Sequence, residues 1–254
     1  MARKRALWAL AAPVVIVLAW QVLASAGILE PLFFPAPSAL LSHAWEMLGS
    51  GELLGPVQAT LARLFLSFVI GSLAGLVCGL LMGALAPLRY AIEPLVSALY
   101  ATPKLTLLPM LMLFFGIGNT SRVIVVATSC FILVAIHALD AVRPIDRTYV
   151  EMASNYGADK MAILRKVYLP AALPQIFTGL RLALGTGLVM TISVELVVPS
   201  DGLGSMILLA WQTFATEKLY LGVFISAALG MLFHAALRRI EGYCIPWRPP
   251  HEPE

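Results

Sequence analysis

Long apolar runs separated by short polar segments organise this chain. Six of them, about 7–27, 61–85, 92–116, 122–141, 175–198 and 219–237, are long enough to cross a bilayer as helices, which takes roughly 20 mostly apolar residues. The interval between the fourth and fifth runs is of another kind. It is polar and charged, and within it 151–156 predicts a short helix. Gly157 follows, a residue able to take the left-handed backbone of a sharp reversal. Met161, Leu164 and Val167 with Tyr168 then recur at helical spacing and predict a second short helix with an apolar stripe. Pro170 disfavours helix at the residue before it and is expected to end that element. The interval reads as a helix–turn–helix knob on a membrane protein, shaped for a partner's groove.

Two of the apolar runs carry further structure. The second has Gly71, Gly75, Gly79 and Gly83, each four residues after the last. Residues at i and i+4 share a helix face, so these glycines make a smooth groove that lets another helix approach closely in lipid. Two partners fit such a groove: a neighbouring span of the same chain, or a second copy across a dimer seam. The third run is interrupted by Pro94, Pro103 and Pro109 and ended by Gly116 and Gly118. Broken backbone survives at membrane depth only inside protein or beside a water-filled cavity. The third run is therefore expected to line a path through the membrane.

Composition and charge set the orientation. The chain is 60% hydrophobic and 12% charged, and its mean hydropathy is +0.88, too apolar for a soluble domain. Arg3, Lys4 and Arg5 precede the first run and Arg89 follows the second. Arg143, Arg147, Lys160, Arg165 and Lys166 lie in the knob interval, and Arg238, Arg239 and Arg248 follow the last run. All fall on one side if the N-terminus is cytoplasmic. The long first loop, 28–59, has Glu30, Glu46 and Glu52 and neither Lys nor Arg. The other side's basic residues are Arg122, Lys218 and the helix-end Arg63. The positive-inside rule then puts both termini and the knob in the cytoplasm. Residues 1–27 also have the outline of a signal peptide, with a basic start and Ala24-Ser25-Ala26. The apolar run is long for that role, and removing it would leave an odd number of spans, so it is kept as the first span. One membrane domain, 1–254, is expected, with 144–171 cytoplasmic and 246–254 a disordered tail.

Catalytic chemistry is not evident. There is no G-x-x-x-x-G-K-[ST] loop to cradle nucleotide phosphates, no H-E-x-x-H metal pair and no G-x-S-x-G elbow. No metal site is expected, and Cys78, Cys130 and Cys244 lack metal-ligand spacing and read as packing residues. Charges inside the bilayer are the functional candidates. Lys104 lies mid-span directly after Pro103, where it would line the path for an anion, pair structurally with Glu195, or snorkel to water. Tyr100, Thr102 and Thr106 would add hydroxyls to the path, and Glu195 would shape its outer end. Arg181 reads as a structural residue close enough to the cytoplasmic interface to snorkel there, and His137 and Asp140 are expected to make interfacial hydrogen bonds.

The knob carries a family resemblance. Glu151-x-Ala153, Gly157 and Val167-x-Leu169-Pro170, at these separations, resemble the cytoplasmic "EAA" loop of ABC-importer permeases, with Met152 and Val167 as mild departures. Phe34-Pro35-Ala36-Pro37-Ser38-Ala39-Leu40, Tyr100-Ala101-Thr102-Pro103-Lys104, Phe114-Phe115-Gly116-Ile117-Gly118 and Gly202-Leu203-Gly204 look like permeases of the nitrate/sulfonate/taurine class. The resemblance implies an all-α membrane protein of about six transmembrane helices with the type I ABC importer fold. Glu151, Ala153, Gly157, Ala158, Leu164, Val167, Leu169 and Pro170 would form the coupling helix that docks on an ATPase. It further implies a bacterial inner-membrane location, a second permease copy, two cytoplasmic ATPase subunits and an extracytoplasmic solute-binding protein. ATP and Mg would belong to the ATPase, with no cofactor in this chain and no nucleic-acid partner. A small anion is the expected solute, with thiamine-precursor-like or aromatic compounds as alternatives. A membrane scaffold or intramembrane enzyme without an ATPase partner is the competing class, and it leaves the spacing of 151–170 to chance.

Overall fold

A computed structural model describes residues 2–247. The side chains of 2–10, Arg147 and Lys160, and all of 248–254, including Arg248 and most of the expected disordered tail, lie outside the described residues. Within them the chain is helical: α1 Ala2–Ser25, α2 Pro37–Gly49, α3 Leu54–Ala84, α4 Ala86–Ala101, a 3-10 turn Lys104–Leu107, α5 Leu108–Phe115 and α6 Asn119–Val142. After these come α7 Arg147–Asn155, α8 Lys160–Ile163, a π-turn Leu164–Tyr168, α9 Leu169–Val197, α10 Leu203–Gln212 and α11 Thr216–Cys244.

Among the described residues, four helical stretches are individually long and apolar enough to cross a membrane: Leu54–Ala84, Asn119–Val142, Met161–Val197 and Thr216–Cys244. They correspond to the second, fourth, fifth and sixth apolar runs. The first run falls in α1, whose described apolar part is the shorter Ala11–Ser25. The third run is not one straight span. It is a pair, Ala86–Ala101 and Lys104–Phe115, bent by 99°. Pro103 is the cause, because it forces Thr102 out of the helical region (ψ 133°) and brings no N–H of its own. Two further helices, α2 and α10, lie in segments read from sequence as loops. Pro37 opens α2 at a position where its missing N–H costs nothing.

The chain divides into two compact units, one comprising the residues up to Thr60 with Glu195–Ala227, the other Leu61–Val194 with the chain from Ala228 on. In the first, Gln21 Oε1 accepts the Ser38 N–H at 2.9 Å near the start of α2. Trp20 stacks at an angle on Tyr220 and Phe224, with centroids 5.6 and 6.3 Å apart. Glu52 pairs with Lys218, whose ammonium donates to it and holds its carboxyl below the usual range.

The second unit is organised around α6, most of whose residues from Ser121 to Val142 are buried. The glycine face of α3 lies directly on it. A methyl group added at Gly71, Gly75 or Gly79 would come within 2.2, 2.5 or 2.4 Å of the carbonyl oxygens of Ala127, Phe131 and Ala135. At Gly83 it would meet Val142 Cβ at 2.6 Å. The stripe is thus an intramolecular backbone-to-backbone contact. Gly179 of α9 adds a similar approach, to His137 at 2.6 Å, and Met82, Val96, Ile132, Ala135 and Leu139 fill a core beside the seam.

Candidate functional site

The segment between α6 and α9 is built from local signals. Asp146 caps α7: its carboxylate accepts the Thr148 N–H at 2.9 Å and the Thr148 hydroxyl at 2.8 Å. These bonds, the backbone one first, hold its carboxyl below the usual aspartate range. At the other end, Ala158 N–H returns to Ala153 O at 3.0 Å and Gly157 N–H to Ser154 O at 2.9 Å. That 6→1 and 5→2 pair is a Schellman cap, and it needs the positive φ of Gly157, +80°. Asp159 then caps the next helix, accepting the Ala162 N–H at 2.7 Å. Two caps and one glycine make the turn.

The second helix does not stop at Pro170. It widens into a π-turn in which Leu169 N–H bonds Leu164 O, and then runs on as α9 with Leu169 itself helical (φ −64°, ψ −49°). A proline inside a regular α-helix loses one hydrogen bond and crowds the carbonyl four residues back. The wider π-turn immediately before Pro170 gives that ring room, so the chain passes into the membrane span without a break. Around the turn, Tyr149, Met152, Tyr156 and Met161 are exposed, Tyr156 at 89%. Glu151 and Leu169 are exposed as well, while Ala153, Ala158, Leu164, Val167 and Pro170 are half-buried. Tyr149 and Met152 border an open cleft of about 820 Å³ whose other walls include Pro144, Lys166, Val167 and Pro170.

A second feature lies among the apolar helices α4, α6 and α9. A cavity of about 400 Å³ is lined by Tyr100, Lys104, Ser129, Ile132, Leu133, Thr186 and Met190. The bend at Pro103 creates its cation. In an unbroken helix the Tyr100 carbonyl would receive the backbone N–H four residues on; here Lys104 Nζ donates to it instead, at 2.6 Å. The ammonium also lies 5.0 Å from the centre of the Tyr100 ring. Of the other expected path residues, Thr102 and Thr106 turn their hydroxyls back to the carbonyls of Ala98 (2.9 Å) and Pro103 (2.6 Å), and neither they nor Pro103 line the cavity. Ser129 and Thr186 do line it and were not singled out from sequence. Thr186 and Met190, four residues apart on α9, share the face that meets the cavity.

Glu195 is fully buried, with no exposed surface. Its carboxylate accepts the Thr60 hydroxyl at 2.9–3.0 Å and the Gly204 N–H at 2.9 Å. Thr60 Oγ1 in turn accepts the Leu203 N–H at 2.8 Å. Gly202, with φ +128°, leaves the space: a Cβ there would sit 2.4 Å from the Glu195 carboxyl carbon. The Gly202-Leu203-Gly204 motif is thereby explained as the cradle of a carboxylate at the start of α10. Arg181 pairs with Glu241 of α11 at 3.1 Å. His137 meets Gln175 Nε2 at 3.2 Å and Asp140 meets Arg143 at 3.8 Å.

Comparison with known proteins supplies the family. Residues 68–242 match the family described as binding-protein-dependent transport system inner membrane component. The aliphatic sulfonates transport permease protein SsuC of Bacillus subtilis is 32% identical over 98% of this chain and 91% of its own length. The taurine transport system permease protein TauC of Escherichia coli is 30% identical, over 92% and 86%. Among solved structures, the inward-facing MetNI methionine ABC transporter superposes with a TM-score of 0.68, covering 76% of this chain and 95% of the matched one at 24% identity, which establishes the shared permease fold. With a family match across most of its length, the chain belongs to the binding-protein-dependent transport system inner membrane components and is an ABC transporter permease.

Proposed function

We propose that this permease works as the inner-membrane half of an importer whose ATPase is a separate chain docked on 147–168, and that it passes a small sulfonate-type anion delivered by a solute-binding protein. One observation carries the docking role. The helix–turn–helix is rigidly capped at both ends of its turn, yet it presents Tyr149, Met152, Tyr156 and Met161 uncovered. Exposed aromatic and Met side chains on a preorganised element are what a protein partner buries. The basic residues of the same interval support a cytoplasmic position for it, with both termini on that side, and the reading includes a second permease copy to complete the path. Similarity to permeases named for aliphatic sulfonates and taurine supports the anion class.

The test uses the permease purified with its ATPase in lipid vesicles. Tyr156→Asp places a charge in the docking surface at the C-cap of α7, where the capping bonds are made by backbone and the side chain is exposed, and Gly157→Val strains the turn at its positive φ. Both variants are expected to insert normally and to lose ATPase co-purification and binding-protein-stimulated ATP hydrolysis together. Full uptake by either variant, with normal complex assembly, overturns the docking assignment.

A further inference from the structure

We infer that the cavity beside Lys104 is a transit site for the solute, and that it takes an unsubstituted alkanesulfonate in preference to an amino-sulfonate zwitterion. The inference rests on the proposed importer reading and names the site and the substrate subclass within it. Polar side chains half-exposed or exposed on apolar helices at membrane depth are tolerated when they face protein or water rather than lipid. Thr186 is such a residue, exposed on α9, a helix of high hydropathy. Lys104 is another, half-buried and held at the helix break. An ammonium has three donors and no acceptor, and Lys104 uses one of them on Tyr100 O. The remaining two point the site toward an acceptor-rich anion.

The walls narrow the choice further. Thr186 brings a hydroxyl, and Ser129 is buried with its hydroxyl turned to Val125 O at 3.3 Å, a long bond that an incoming oxygen can replace. Ile132, Leu133 and Met190 form an apolar wall beside these groups. A tetrahedral head with three acceptor oxygens and a short hydrocarbon tail matches that division of surface. A second, positive end does not. None of the described lining residues is acidic, and one face of the Tyr100 ring, where an ammonium could otherwise rest, is already covered by Lys104. A zwitterion entering here brings a charge that is repelled by Lys104 and left without a partner.

The test is protection of a thiol at position 186. Thr186→Cys is made in a chain with Cys78, Cys130 and Cys244 changed to alanine, and the complete transporter in lipid discs is labelled with a neutral maleimide. Ethanesulfonate at about ten times its Kd is expected to slow labelling by roughly tenfold. Taurine at the same concentration should slow it by less than half as much, and sodium chloride at matched ionic strength not at all. Lys104→Met should cut the protection from roughly tenfold to about twofold while leaving thermal stability near wild type, and Lys104→Arg should retain more of it. Equal protection by taurine overturns the charge-based selectivity. Equal protection by chloride, or none by ethanesulfonate, overturns the site. Uptake of ethanesulfonate is measured in parallel. Binding-protein-dependent uptake with an unprotected thiol sinks the site alone, whereas wild-type transporter that imports no sulfonate sinks the importer reading beneath it.

Discussion

Lys104 and Glu195 are both single charges on apolar helices, and the structure treats them in opposite ways. Glu195 has no exposed surface and is surrounded by donors: the Thr60 hydroxyl and the Gly204 N–H, with Gly202 giving way around it. Lys104 is half-buried beside an open cavity and satisfied once, by a carbonyl that a helix break released. A buried charge whose bonds are filled holds a loop in place; one with donors to spare, next to space, is available to a ligand. The difference lies in how many of each group's hydrogen bonds the fold has already occupied, not in charge or depth.

The largest effect that could break this contrast is at Glu195. Glu195→Leu leaves the Thr60 hydroxyl and Gly204 N–H without their acceptor, at about 1–3 kcal/mol for each buried group orphaned. A marked loss of Tm and of folded yield in detergent is expected, with Glu195→Gln milder because the amide keeps an acceptor oxygen. A Tm unchanged in Glu195→Leu would remove its structural role. Gly202→Ala should come next. It forces a side chain into φ +128° and against the carboxyl group, and should cost about 1–3 kcal/mol in the same thermal assay.

At Lys104 the expected sign pattern reverses. Lys104→Met should change Tm little and lower sulfonate uptake in vesicles by roughly tenfold, equivalent to about 1.4 kcal/mol of anion binding. A large Tm loss with unaltered uptake per folded transporter would make Lys104 a helix cap and nothing more. Asp146 gives the smallest effect, as a fully exposed cap. Its folded carboxyl lies below the ordinary value of 3.8, with the Thr148 N–H as first cause. The stabilisation of α7 is therefore complete above that ordinary value and lost as pH falls through the lower folded one. Asp146→Asn should produce a slight Tm loss at neutral pH that shrinks in strong acid; a loss growing with acidity would contradict the cap.

Local signals were readable to the extent that they act within a few residues. Gly157 at a turn, the Pro103 break and the span positions follow from backbone sterics and from the length a bilayer demands. The 99° bend was harder to see, because a proline announces a break but not its angle. Pro170 misled for a related reason: its usual effect on the preceding residue was absorbed by a π-turn that no residue type marks. The helices α2 and α10 went unseen because both are too short to stand out as spans.

By itself, then, the sequence determined the membrane class, the apolar runs, the turn at Gly157 and the existence of a close helix contact along Gly71, Gly75, Gly79 and Gly83. Each depends on composition or on spacing along one helix. Which helix fills that glycine groove, that Arg181 meets Glu241 some sixty positions away, that Thr60 and Gly204 close around Glu195, and that Ser129 and Thr186 join Lys104 at one cavity, only the tertiary structure decided. Those partners are far apart in the chain, and a hydrogen bond or a packed surface depends on separations of a few ångströms that only the assembled backbone sets.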